Sequence, residues 1–75
     1  MSYWVYILWS SKLNRYYVGS TMDLDRRVKE HNSGKSRYTS RGIPWRLVYH
    51  ESSDTKQNAW KREMEIKKYK GGVVS

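Results

Sequence analysis

The stretch YWVYILWSSKLNRYYVGS, Tyr3–Ser20, decides how the rest of the chain can fold. Its first part, residues 3–9, is dense in β-branched and aromatic types and reads as a buried strand. Ser10–Asn14 carries the polar and small residues of a turn. Arg15–Ser20 is a second, shorter strand ended at Gly19, so the two segments form an antiparallel hairpin. Register then decides which side chains meet, because a slip of one residue moves a strand's whole set to the other face. With a four-residue loop at Ser10–Leu13, Tyr6 lies directly opposite Tyr17 and the two phenols share a face.

Working outward from the hairpin, Asp23 is a good N-cap for a helix that Asn32 to Gly34 close. Residues 33–44, SGKSRYTSRGIP, form a polar, basic loop. Trp45–Glu51 alternates Trp, Leu and Tyr against Arg, Val and His, a third strand. Asp54 with Gln57 makes a capping box for a second helix that runs to about Tyr69, where Gly71-Gly72 ends it. The order is β-β-α-β-α without repeats or linkers. That predicts an α+β fold with a small three-stranded antiparallel sheet flanked by helices, residues 1–75 being one domain.

At 75 residues only roughly 60% of the unfolded chain's surface can be buried, so the core must be compact. It has to be built from seven tyrosines, four tryptophans and a modest aliphatic set, since phenylalanine is absent. Such rings need a partner for their O–H or N–H when buried. The chain contains no cysteine, which excludes disulfides, thiolate catalysis and cysteine-type zinc sites and fits a reducing compartment. The longest apolar run, Tyr3–Trp9, is far too short for a membrane span, and the N-terminus lacks the basic n-region of a secretory leader. A soluble cytoplasmic protein without membrane association is expected.

Charge points to the partner. Fifteen Lys and Arg against seven Asp and Glu leave a formal net charge of +8. Between Arg26 and Arg46 stand seven basic residues and one acid, Glu30. A field of this kind draws polyanions, of which nucleic acid is the commonest.

Helical rotation sorts the charged residues further. At about 100° per residue, Leu24, Val28 and His31 fall within roughly 60° of one another. Arg27 lies on the edge of that stripe and Arg26 opposite it, so Arg26 is expected in solvent and Arg27 along the sheet. On the second helix Ile66, Ala59, Trp60 and Met64 span an apolar arc of roughly 160°, with Glu63 in its middle and Glu65 pointing away. An unpaired carboxylate facing a core costs several kcal/mol by order of magnitude, so Glu63 must be ion-paired, protonated or metal-bound. The metal reading is a hard divalent cation, Mg²⁺ or Mn²⁺, which needs only one or two protein carboxylates and fills its remaining positions with water and phosphate oxygens.

Two phenols, an arginine and a carboxylate on a basic surface are the components of phosphodiester hydrolysis. The guanidinium fork suits a phosphate, a metal polarises phosphoryl oxygen, and a phenol holds or activates water. A Ser-His-Asp arrangement, a glycine-rich phosphate loop and a metal-spaced histidine pair are all missing.

Trp4-Val5-Tyr6 followed by Tyr17-Val18-Gly19, then Arg27 and the helical Glu63, resembles the signature of the GIY-YIG nucleases. The likeness runs from Tyr3 to about Tyr69. With DLDRRVKEHNSGKSRYT, PWRLVY and KREMEIKK it is similar to the small stand-alone bacterial predicted-endonuclease subgroup. Trp4 replaces the first glycine of the signature and Val18 its isoleucine. The resemblance implies a metal-dependent endonuclease that cuts DNA to leave a 5′-phosphate and a 3′-hydroxyl, with kinship to DNA repair. It makes Tyr6 and Tyr17 the active-site tyrosines, Arg27 the ligand of the scissile phosphate, Glu63 the sole protein ligand of the metal and His31 an auxiliary candidate. Which tyrosine serves as base stays open, and target choice would fall to the Gly34–Pro44 loop, the basic helix surfaces or a targeting partner protein.

Two rivals come from other classes. A non-catalytic RNA or single-stranded nucleic-acid-binding module would stack bases on Tyr3, Trp4, Tyr6 or Tyr17 and track phosphates with the basic loop. A basic interaction protein would use Arg27 and Glu63 merely as a buried ion pair.

Overall fold

The computed structural model describes residues 2–69 and 73–74. Strands β1 (Tyr3–Ser10), β2 (Arg15–Thr21) and β3 (Trp45–Ser53) form the antiparallel sheet, joined by helices α1 (Leu24–Asn32) and α2 (Lys56–Tyr69) in the order expected. A two-residue strand β4 (Val73–Val74) adds a parallel edge beside Tyr16 and Tyr17, so the sheet order is β3-β1-β2-β4. The expected helix stop at Gly71-Gly72 lies outside the described residues. No helix among them is long and apolar enough to cross a membrane.

Alternation along β1 gives the sheet two packed faces. Val5, Ile7 and Val18 meet Ala59 and Ile66 of α2 on one side. Tyr6, Leu8 and Trp45 meet Leu24 and Val28 of α1 on the other. The strands are therefore covered on both faces, which explains why β1 reads as an unbroken apolar run.

The hairpin register differs from the sequence reading by two residues. Ser10 pairs with Arg15, so the loop is residues 11–14 and Tyr17 stands opposite Leu8, with Gly19 opposite Tyr6. Asn14 closes that loop at φ 55, a left-handed conformation its short amide side chain tolerates. Because the shift is even, both phenols keep the same face, as diagonal neighbours instead of a direct pair.

A second difference lies in β3. Ile7 pairs with Tyr49 but Leu8 with Leu47, so Val48 is bulged out of the ladder. The bulge breaks the expected Trp-Leu-Tyr alternation: Trp45 and Leu47 face α1, while Tyr49 turns to the α2 side beside Ile7.

The helix starts follow local hydrogen bonds. Asp23 caps α1 by accepting the Arg26 amide at 3.2 Å. The cap of α2 is Thr55, one residue later than the expected Asp54, because its hydroxyl accepts the Asn58 amide at 3.1 Å. The buried stripe of α2 is also rotated from the expected arc. Ala59 and Ile66 are buried, but Trp60 and Met64 are exposed, because the helix lays its 59-62-63-66 line on the sheet.

Asn32 ties α1 to β3. Its amide nitrogen donates to the Trp45 carbonyl at 2.9 Å and its oxygen accepts the Trp45 amide at 2.6 Å. The Trp45 indole N–H donates to the Thr39 carbonyl at 2.7 Å, fastening the basic loop to the same ring. Asn32→Ala leaves both backbone groups of Trp45 without that partner and should lower the unfolding free energy by about 2–3 kcal/mol in urea titrations.

Candidate active site

Tyr6 is delivered by the face of β1 that looks at α1 and is 1% exposed. Its ring crosses to β2 and lies on Gly19, where no side chain fits: a Cβ there would sit 2.7 Å from the Tyr6 hydroxyl oxygen. Gly19 is therefore required by close approach. The Tyr17 ring centroid lies 6.2 Å from that of Tyr6 and 4.7 Å from that of His31.

The Tyr6 hydroxyl and His31 Nε2 are 2.9 Å apart, and His31 Nδ1 lies 3.1 Å from the Thr39 hydroxyl. The Arg27 guanidinium lies against the same Tyr6 hydroxyl, which stabilises the cation. A neutral imidazole has one N–H donor and one acceptor nitrogen, so of the Tyr6 and Thr39 hydroxyls one donates to the ring and the other accepts from it. His31 is 3% exposed, so it acts as a buried strut for the phenol.

Environment sets the protonation states. Burial pushes the Tyr6 phenol above its ordinary value, with the neighbouring Tyr17 adding to the effect and Arg27 opposing it. Burial also raises Tyr17; Arg27 and Lys67 pull it down and Glu63 pushes it up. His31 is lowered, first by burial and then by the Arg27 charge, and stays neutral. Tyr17 is half-buried, and its hydroxyl has no hydrogen-bond partner among the described residues. The phenol left open to solvent is Tyr17.

The adjacent arginines separate as their helical positions require. The Arg26 side chain is 77% exposed and the Arg27 side chain 45%. Glu30 bridges them, accepting from Arg26 Nε at 3.2 Å and Arg27 Nη1 at 3.5 Å.

Glu63 arrives from the opposite face of the sheet. Its side chain is 15% exposed, turned inward as its helical position required. Ser20, the residue after Gly19, points to the α2 side and donates to Glu63 Oε1 at 2.9 Å. Lys67 Nζ, one turn along α2, pairs with Glu63 Oε2 at 2.7 Å. The carboxylate's charge acts on both phenols, and Ser20, which holds it, is the neighbour of the Gly19 on which their rings lie. The Arg27–Glu63 pair of the interaction-protein reading is not formed: each has a closer partner on its own helix.

Among the described residues no three His, Cys, Asp or Glu side chains gather into a cage. A divalent cation held here would have Glu63 as its protein oxygen, with water and phosphate completing the shell. The donor chemistry fits, since the inward carboxylate already holds one cation, the Lys67 ammonium. Arg37, Tyr38 and Arg41 of the basic loop line a hollow of about 410 Å³. Tyr38 is 61% exposed, and its phenol is near enough to perturb Tyr17.

The five candidates were singled out from the sequence without the groups that hold them. Thr39 sits in an aperiodic loop that gives no face to read. Ser20 and Lys67 were within reach, Ser20 by strand parity with Gly19 and Lys67 by its i,i+4 spacing from Glu63.

Comparison with known proteins gives a concordant picture. A family model described as the GIY-YIG catalytic domain matches residues 2–72. A UPF0213 protein of Haloquadratum walsbyi is 44% identical over 68 residues, 89% of this chain and 75% of that protein. One from Staphylococcus saprophyticus is 40% identical over 68 residues, covering 89% and 82% respectively. The solution NMR structure of a UPF0213 protein from Bacillus halodurans aligns with a TM-score of 0.54 at 40% identity, over 91% of this chain and 72% of that one.

Two outcomes test the strut. Gly19→Ala forces the buried Tyr6 ring off its seat and should cost about 1–3 kcal/mol of stability in chemical denaturation. For His31, the unfolded chain takes up a proton near the ordinary value of 6.5 and the folded protein only at lower pH. The unfolded state binds more protons in that interval, so stability falls as pH drops below about 6.5. Denaturation midpoints compared at about pH 5 and pH 7.5 should show this fall, and His31→Gln should reduce it.

Proposed function

The chain belongs to the GIY-YIG family, and from that membership we propose that it is a metal-dependent endonuclease hydrolysing phosphodiester bonds in DNA. Nuclease chemistry, nucleic-acid binding and use of a divalent metal go with the family. The choice of DNA, of Mg²⁺ or Mn²⁺, of 5′-phosphate and 3′-hydroxyl ends, of a cytoplasmic setting and of residues 1–75 as one nuclease domain is our reading. The observation that carries it is that Gly19 seats the Tyr6 and Tyr17 rings while the next residue, Ser20, holds the inward Glu63 carboxylate.

In this reading Arg27, held by Glu30 on one side and Tyr6 on the other, binds the scissile phosphate through its free donors. Tyr17, with an open hydroxyl, positions the attacking water. Tyr6, fixed by His31, is the inner phenol that orients Arg27. A divalent cation on Glu63 would supply charge neutralisation at the phosphoryl oxygens. Arg37, Tyr38 and Arg41 give the incoming strand cationic and aromatic contacts, the pattern suited to an unpaired segment.

The Glu63–Lys67 pair is the one observation that favours the binding-only alternative, because a satisfied ion pair needs no metal. Labelled single-stranded, duplex and branched DNA, incubated with Mg²⁺ or Mn²⁺ and then with chelator, separates the two. Cutting that chelator stops is expected; binding without cutting under every condition favours the module. Glu63→Gln should bring cleavage to background while salt-sensitive DNA binding persists. Arg27→Ala should lower cleavage roughly a hundredfold or more, against less than about threefold for Arg26→Ala.

A further inference from the structure

We propose that Lys67 is a positioning residue of this site that couples metal binding to phosphate binding. The inference rests on the nuclease reading and adds to it an order of assembly. Its ammonium holds Glu63 at 2.7 Å, with side-chain exposures of 23% for the lysine and 15% for the glutamate. Every other ion pair among the described residues is more exposed. Ser20 fixes the second carboxylate oxygen, so the group cannot simply rotate to offer a free edge.

A divalent cation and an ammonium compete for the same carboxylate, since like charges at contact repel strongly in a partly buried site. The metal therefore binds the free protein weakly. Once displaced, the Lys67 charge needs another anion, and the carboxylate it leaves is tied by Ser20 to the neighbour of Gly19, on which the Tyr6 and Tyr17 rings lie and where the scissile phosphate is proposed to sit. Phosphate arrival supplies that anion and releases Glu63. By linkage, nucleic acid and metal then raise each other's affinity by one common factor. A lysine serving only to stabilise α2 would produce no such coupling.

The test measures Mn²⁺ affinity by electron paramagnetic resonance. The protein is titrated alone and with an N3′→P5′ phosphoramidate DNA oligonucleotide, which keeps its charge and resists cutting. The wild-type protein should bind Mn²⁺ weakly alone and at least tenfold more tightly with the oligonucleotide. Lys67→Met, or Lys67→Gln should the methionine variant fail to fold, should bind Mn²⁺ at least tenfold more tightly without DNA and gain little from it. Lys67→Arg should behave as wild type. Unchanged Mn²⁺ affinity in Lys67→Met, with the DNA effect intact, overturns the role of Lys67 and leaves the nuclease reading standing. Absence of Mn²⁺ binding in the wild type with and without DNA, matched by Glu63→Gln, overturns both.

Discussion

Everything in the site depends on one contact, the Tyr6 ring resting on the bare backbone of Gly19 with its hydroxyl held by His31. The ring is core and chemistry at once. Its body is buried with Leu8 and Trp45, while its oxygen faces Arg27 and His31. In a domain this small that double use matters, because few side chains can be set aside for function alone. The cost of burying a phenol is offset by a continuous chain of hydrogen bonds from Tyr6 through His31 to Thr39. That chain joins β1, the last turn of α1 and the basic loop.

A sheet covered on both faces ordinarily keeps the helices on its two sides apart. The site escapes this by sitting where β2 presents no side chain at Gly19 and a short one at Ser20. Tyr6 and Tyr17 approach from the α1 side; Ser20 carries Glu63 from the α2 side. β4 pairs with β2 only at Tyr16 and Tyr17, so among the described residues the strand beyond them is unpaired on that edge.

How far the sequence could be read follows from which features are periodic. Element order and the inner face of α1 were legible because burial repeats every two or 3.6 residues. The shared face of Tyr6 and Tyr17 survived a register error of two residues, since parity alone decides it. The inward turn of Glu63 was legible for the same reason. Its apolar company was not: rotation does not reveal that Arg62 and Lys67 lie on the packed side while Trp60 stays 59% exposed. The Val48 bulge and the Thr39 contact arise from tertiary packing that leaves no local pattern. The cap at Thr55 was a contest between two adjacent residues that both prefer the position.

Two electrostatic regimes coexist in the molecule, and they divide its proposed work. The basic loop and the outer face of α1 are exposed, and their pull on a polyanion extends only over a Debye length of about 8 Å at physiological salt. This part of the interaction is sequence-independent and easily screened. The contacts around Gly19 are of another kind: partly buried, set at 2.7–2.9 Å, and little affected by added ions. Salt therefore governs how often a polyanion arrives, whereas the Glu63–Lys67 pair is set by local geometry. The surface charge that recruits the nucleic acid need not resemble the geometry that reads its phosphate. A chain with so basic a surface and a single inward acid at this site can keep the two tasks in separate sets of residues.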